Sequence, residues 1–345
     1  MKIGIAFDLK PKSPPPPGAP DDLHEEFDSP ITIRAIADVI REMGHTPVEL
    51  GDGPELLRKL LDDPPVLVFN LAEGTGSSRN REARVPAVCE MLGIPHTGSD
   101  VLTLALCLDK DMCRRVVQDA DIRIPDGVLI TFPDEEYDGD YHEFPGMVTE
   151  TGMKVPLIAK PVWEGSSKGI RSKCLIERLE DVGPTVVSLW KDYKQGVLLE
   201  EFISGEEVTV GILGNDPPRI IGCMQVVPKE DPTRFVYSLE VKRDWEDKIY
   251  YETPPKMPPD AIRALEYAAL AAYDVLGIKD IARIDFRFKD GVPYFLEANP
   301  LPGLNPEWSD LIILAKAVGS SHTELVRTVI VEAMKRYGIG SERLL

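Results

Sequence analysis

The sequence predicts a mixed α/β and α+β protein in three parts: a small parallel-sheet unit over residues 1–100, then α+β units over 101–194 and 195–345. Three observations predict it. The first hundred residues alternate strand-like and helix-like runs, the pattern of a parallel sheet. The second half is strand-rich, its runs closely spaced and joined by Gly-containing turns. A chain of 345 residues is too long for one small core.

KIGIAF is a short apolar strand. The following PKSPPPPGAPDD is a loop with polyproline character, because proline fixes φ and donates no hydrogen bond. Ser29-Pro30 starts a helix, serine as cap and proline in the first turn, and ITIRAIADVIREMGH runs helically to Gly44. PVLVFNL is a buried strand and REARVPAVCEMLG a helix ended by Gly93. Residues 101–120 are helical, with a break at Asp109-Lys110-Asp111. VPLIAK and GIRSKCLI are strands on either side of a glycine-rich loop, and residues 178–193 are helical. VLLEEFISGEEVTVGIL holds two strand-like runs about a Ser204-Gly205 turn, and RIIGCMQVV is a third. Residues 228–260 form a long polar segment with little regular pattern, the kind that covers active sites. Residues 261–277 are helical, IARIDFRF and VPYFLEAN are strands about Lys289-Asp290-Gly291, and the last helix covers 322–337.

A content of 43% hydrophobic and 28% charged residues is ordinary for a soluble globular chain. No uninterrupted apolar run reaches about 18 residues, so no transmembrane helix is expected, and MKIGIAFDL lacks a secretory pattern. The net charge of −19 argues against nucleic acid as a partner and requires a locally basic pocket for any anionic ligand. Cys89, Cys107, Cys113, Cys174 and Cys223 form no CxxC pair, which predicts reduced, buried thiols in a cytoplasmic protein.

KPVWEGSSKGI, residues 160–170, looks like a phosphate cradle. In a Walker loop, however, the lysine follows the glycines and a helix comes next. Here Lys160 precedes the glycines and the continuation is β-like, so the loop joins two antiparallel strands and folds over phosphates. Its backbone N–H groups and the Ser166 and Ser167 hydroxyls supply donors.

In RIDFRF, Arg283 and Asp285 share one strand face, and in YFLEANPLPG so do Glu297 and Asn299. A two-residue Asp290-Gly291 turn pairs Asp285 with Leu296 and turns Glu297 away. A three-residue loop pairs Asp285 with Glu297 and Arg283 with Asn299. The second arrangement is expected, since it gathers two carboxylates and an amide oxygen into a hard site suited to Mg²⁺. Beyond it, Gly303 in PLPGLNP lets the backbone approach a ligand. Glu200 and Glu207 flank a bend that offers a backbone edge and carboxylates to a purine.

KPVWEGSSKGI, LLEEFISGEEVTVGIL, ARIDFRF and FLEANPLPG, in this order and spacing, resemble an ATP-grasp enzyme of the D-alanine–D-alanine ligase type. LGIPHTGSDVLTLALCLDKDMCRR resembles that family's segment leading into the central domain. The resemblance covers nearly the whole chain and is weakest before residue 64. It implies the ATP-grasp fold, with ATP held between two α+β domains. It further implies that Lys110 and Lys160 contact ATP phosphates, that Ser166 and Ser167 belong to the closing loop, and that Glu164 joins the nucleotide contacts. By the same resemblance Glu200, Glu201, Phe202 and Ile203 hold adenine, Glu207 holds ribose, and Lys242 in FVYSLEVKRDW contacts ATP. Asp285, Glu297 and Asn299 bind two Mg²⁺, with Mn²⁺ as a substitute, while Arg283 and the Gly303 N–H stabilise an oxyanion. The family is often dimeric, which implies a homodimer.

The sequence departs from that family at the acceptor end. The glutamate that binds the first substrate, with Ser166, maps to Glu25 by helix register, with Glu26 as the alternative. Arg79, Arg81 and Arg84 replace a histidine-glycine stretch and are candidates to meet a substrate carboxylate. Arg243 stands in place of a tyrosine, Trp308 near a serine, and Lys168 adds a charge within the loop. The expected function is ATP-dependent ligation of a carboxylate, that of an amino acid, to an amine through an acyl phosphate. Lys168 and Arg243 suggest a substrate with an extra acidic group. D-Alanine–D-alanine ligase proper and a non-catalytic ATP-binding module are the alternatives.

Overall fold

A computed structural model describes residues 1–133 and 143–340. Strand β1 (Lys2–Ala6) leads through the proline-rich loop to helix α1 (Pro30–Glu42), where the Ser29 hydroxyl accepts the Thr32 N–H at 3.3 Å. Then follow β2 (Thr46–Gly51), α2 (Gly53–Asp62), β3 (Leu67–Asn70) and α3 (Arg84–Leu92). Gly93 ends α3 in the left-handed region at φ 67°. The three strands form a parallel sheet in the order β2-β1-β3. Alternation sends Ile3, Ile5 and Phe69 to one face and Ala6 and Val68 to the other. β2 and α2 carry little signal in the sequence. β2 is a half-exposed edge strand, and α2 buries only Leu56 and Leu60.

Helices α4 (Val101–Leu108) and α5 (Lys110–Asp119) break at Asp109, as expected, and the Asp109 carboxylate caps α5 by accepting the Met112 N–H at 3.1 Å. Strand β4 (Gly127–Ile130), α6 (Glu143–Thr151), β5 (Leu157–Pro161), β6 (Leu175–Ile176), α7 (Val182–Tyr193) and β7 (Val197–Glu201) complete the middle of the chain. The four strands form a sheet in the order β4-β7-β5-β6. The glycine-rich loop does join antiparallel strands, β5 and β6, although a 3₁₀ turn at Ser172–Cys174 shortens the exit strand to two residues.

The remainder contains β8 (Glu206–Leu213), β9 (Arg219–Pro228), α8 (Leu239–Arg243), α9 (Trp245–Lys248), β10 (Ile249–Glu252), α10 (Pro259–Val275), β11 (Ile281–Lys289), β12 (Val292–Asn299), α11 (Asp310–Ala317) and α12 (His322–Arg336). Its five strands form an antiparallel sheet, β10-β9-β8-β11-β12. The two runs about Ser204-Gly205 are not a hairpin. β7 and β8 lie in different sheets, and this bend carries the chain from one to the other. Gly205 is required there because a Cβ would run into the Phe288 carbonyl. The segment 228–260 is more ordered than its composition suggests, since β10 pairs with β9.

Two cores tie these parts together. Ile36 of α1 and Phe69 of β3 share a core with Leu311 of α11 and Val329 of α12, which seats the N-terminal sheet on the end of the chain. Cys107 of α4 and Val117 of α5 pack with Leu265 of α10 and Ile284 of β11.

Candidate active site

The site is built on the β11–β12 hairpin. Asp285 pairs with Glu297 and Arg283 with Asn299, the pairing expected, but the route to it differs. The turn is the tight two-residue one: Lys289 pairs with Val292, and Asp290 and Gly291 both take positive φ, 51° and 83°. Phe286 pairs with Phe295 and Asp285 with Glu297, so Leu296 is an extra residue and a β-bulge supplies the step assigned to the turn.

The carboxylates are densely held. Asp285 accepts the Thr209 hydroxyl at 2.7 Å, the Asn299 amide at 3.2 Å and the Arg283 guanidinium at 2.9 Å. Arg283 also reaches Asp310, at the start of α11, at 3.1 Å. Glu297 lies 3.5 Å from the Lys110 ammonium and 3.7 Å from Arg283. Burial alone would push the Glu297 carboxyl up, but Lys110, Arg283, Lys242 and Lys160 overcome it and hold it down at about 2. At Asp285 burial prevails and the carboxyl is raised, because the Glu297 charge adds to it. A cluster of carboxylates that already draws several cations suits a divalent ion and phosphate oxygens.

Beside this hairpin a cleft opens between the four- and five-stranded sheets. It is lined by Ile158, Phe202, Ile203, Val236 and Leu296, with Lys160, Glu200, Glu207 and Lys242 among them. Lys160 pairs with Glu200 at 2.7 Å, and Glu207 with Arg287 at 2.6 Å. Apolar walls with a few convergent charges suit a purine nucleotide. Glu201 borders the cleft but its carboxylate accepts the Lys154 N–H at 3.1 Å, and the Phe202 N–H is taken by the Pro156 carbonyl at 2.9 Å. Asp310, Thr209 and Arg287 were not singled out from the sequence. Ser309-Asp310 ahead of the apolar LIILAKA was a readable helix start.

A second cavity adjoins the first under the N-terminal sheet. Lys242, Arg283 and Glu297 line both. Lys110, Glu164, Ser166, Asn299 and Gly303 line the second alone, with Glu26, Asp28, Glu73 and Glu82. Ser167 lines the cleft, and its hydroxyl donates to the Tyr237 carbonyl at 3.1 Å.

Glu25, the register-based assignment, lines neither cavity. Its carboxylate pairs with Arg243 at 3.0 Å and Lys10 at 3.3 Å. The neighbouring Glu26 points inward instead and binds the glycine-rich loop, accepting the Gly165 N–H at 2.6 Å, Lys168 at 2.9 Å and Arg81 at 2.8 Å. Burial pushes Glu26 up, yet Arg81 and Lys168 outweigh it and the carboxyl lies below its ordinary value. Glu164 anchors the same loop through Lys168 at 2.5 Å and Gln195 at 2.7 Å, and its carbonyl accepts the Lys110 ammonium. Asp22 adds a further tie, accepting the Gly169 N–H at 3.0 Å.

The expectation of a cationic acceptor pocket is overturned. Lys168 is buried between Glu26 and Glu164, and Arg243 lies between Asp21, at 2.6 Å, and Glu25. Of the three arginines, Arg81 is buried against Glu26, Glu164 and the Trp163 carbonyl. Arg79 lies over the Trp163 ring and Arg84 donates to the Thr75 carbonyl at 2.7 Å. Trp308 is half-exposed and lines neither cavity.

Comparison with known proteins agrees with this geometry. The family model described as D-ala D-ala ligase C-terminus matches residues 116–331. The D-alanine–D-alanine ligase of Aquifex aeolicus is 32% identical over 300 residues, covering 87% of this chain and 93% of its own. That of Fervidobacterium nodosum is 31% identical over 319 residues, covering 89% and 95%. Among solved structures, D-alanine–D-alanine ligase from Bacillus anthracis complexed with ATP superposes with a TM-score of 0.69 at 20% identity, covering 98% of this chain and 99% of that one. VanG D-Ala:D-Ser ligase from Enterococcus faecalis superposes with a TM-score of 0.67 at 22% identity, covering 96% and 99%. The fold is thus the ATP-grasp fold, and the chain belongs to the D-alanine–D-alanine ligase family, as an ATP-dependent ligase that joins a carboxylate to an amine.

Proposed function

We propose that the two cavities are the halves of one active site, with ATP in the cleft between the sheets and the amino-acid substrates in the cavity beneath the N-terminal sheet. The observation that carries this is the shared wall: Lys242, Arg283 and Glu297 line both spaces, so phosphates in one lie next to a carboxylate in the other. The adenine lies along Phe202 and Ile203, the ribose at Glu207, and Lys110, Lys160 and Lys242 face the phosphates. Ser166, Ser167 and the loop N–H groups cover them. Three domains follow the sheets, at about residues 1–100, 101–201 and 206–345; the second boundary lies after β7 rather than at the expected 194, because Val197–Glu201 pairs with β4 and β5 in the middle sheet.

Asp285, Glu297 and Asn299 fit magnesium by donor chemistry, two carboxylates and an amide oxygen, and two ions, Mg²⁺ or Mn²⁺, are proposed there. The chemistry supplied by such ions is neutralisation of phosphoryl oxygens. A substrate carboxylate oxygen attacks the γ-phosphorus, ADP leaves, and an acyl phosphate forms. The amine nitrogen of the second substrate then attacks the acyl carbon and loses a proton as phosphate departs. Arg283 and the Gly303 N–H face the oxyanion of that second step.

The relatives' names bring D-alanine forward as a substrate for both steps. The test is ADP release with ATP and Mg²⁺ across a matrix of D- and L-amino-acid pairs, with product masses measured. D-Alanine alone yielding its dipeptide identifies D-alanine–D-alanine ligase proper, and another productive pair identifies a different ligase. ADP release by no pair favours a non-catalytic ATP-binding module.

A further inference from the structure

We propose that the second cavity receives a dibasic substrate, an amino acid or amine whose additional ammonium lies between Glu73 and Glu82. The proposal rests on the ligase reading above and names the substrate class of that site.

Glu82, in the 3₁₀ turn Arg81–Ala83, is more than nine-tenths buried and lines the cavity, yet no hydrogen bond or ion pair from the described residues reaches its carboxylate. Glu73, after β3, lines the same wall, has no ion-pair partner among the described residues, and is repelled by Glu82. Asp28 is a third carboxylate there without a cation among the described residues. The adjacent Arg81 compensates none of them directly, because its guanidinium binds Glu26, Glu164 and the Trp163 carbonyl.

A buried carboxylate without a partner is costly, and it is stable only as the neutral acid or against a cation. Burial accordingly pushes the Glu82 carboxyl up to about 8, with the charge of Arg81 opposing. A monobasic first substrate brings a single ammonium to a wall with three uncompensated carboxylates. A dibasic one brings two. Carboxylates spread along a wall suit a chain with separated charges.

The test compares lysine and ornithine with norleucine, each as the D and L form, by ADP release from the full chain with ATP and Mg²⁺. A dibasic acid is expected to exceed norleucine in kcat/KM by at least about tenfold, chiefly through KM. Glu82→Gln and Glu73→Gln, near-isosteric changes on separate segments, are each expected to lower that ratio by about tenfold. Norleucine equal to the dibasic acids, or a ratio that survives both changes together, overturns the proposal. If no pair releases ADP, the ligase reading fails, and calorimetric binding decides the proposal alone. Lysine binding over norleucine that is lost in Glu82→Gln upholds it, and no preference overturns it.

Discussion

Asp285 faces Glu297 across the β11–β12 pair because Leu296, one residue earlier, has no counterpart on the other strand. A tight turn with an unbroken ladder would place Leu296 opposite Asp285 and send Glu297 to the far face. The bulge reconciles a two-residue turn with a convergent acidic pair. Replacing Glu297 by alanine removes one carboxylate and leaves Lys110 and Arg283 short of a partner. ADP release is expected to fall by about a hundredfold or more, with the melting curve still cooperative. A fully active variant would refute the metal role.

The Glu26 carboxylate sits between Arg81 and Lys168, all three buried. Glu26→Ala leaves two buried cations, Arg81 and Lys168, with Glu164 as their one shared carboxylate. It is expected to cost about 3–5 kcal/mol in urea unfolding, with Glu26→Gln milder because the amide still accepts the Gly165 N–H. An unchanged midpoint would contradict the pairing.

Stability should fall as pH rises through neutrality. Burial raises the Asp28 carboxyl from 3.8 to about 7, against a hydrogen bond from Thr32 and with help from the Asp8 charge. The folded state therefore keeps a proton that the unfolded chain has released, so stability is greatest below the unfolded value and is lost through about pH 7. Asp8, also raised to about 7 by burial, and Glu82 act in the same sense. Thermal unfolding between about pH 5 and 8 should show a declining midpoint, and Asp28→Asn should flatten the decline. A midpoint that rises over this range would be the contrary result.

At the nucleotide end, Arg287 holds Glu207 at 2.6 Å and donates to the Phe235 carbonyl at 2.6 Å. Arg287→Ala frees the proposed ribose contact and one support of the 228–260 segment. The KM for ATP is expected to rise about tenfold, with the amino-acid KM little moved. An equal rise in both would place Arg287 in general support of the fold instead.

Much of this was readable where local signals were strong. Ser29-Pro30 announced α1, Asp109 the break before α5, and the alternation in RIDFRF the inward face of β11. Partnership between distant segments was not readable. VLLEE and EEVTVGIL look like one hairpin, and only tertiary packing assigns them to separate sheets. A one-residue bulge at Leu296 and a three-residue turn predict the same facing of Asp285 and Glu297, so the sequence could not separate them. Helix register pointed to Glu25, but the backbone from Asp21 to Phe27 is turn and bend, not helix, and presents Glu26 inward. The charges on Lys168 and Arg243 were visible, whereas three of the carboxylates that neutralise them, Glu26, Asp21 and Glu25, lie more than a hundred residues earlier.

The proline-rich segment and the glycine-rich loop are fastened together through Asp22 and Glu26, across sequence gaps of 147 and 139 residues. The glycine-rich loop is therefore positioned by the N-terminal part of the chain as well as by its own strands, so a change at Asp22 or Glu26 is felt at Gly165 and Gly169 without touching the loop's own sequence.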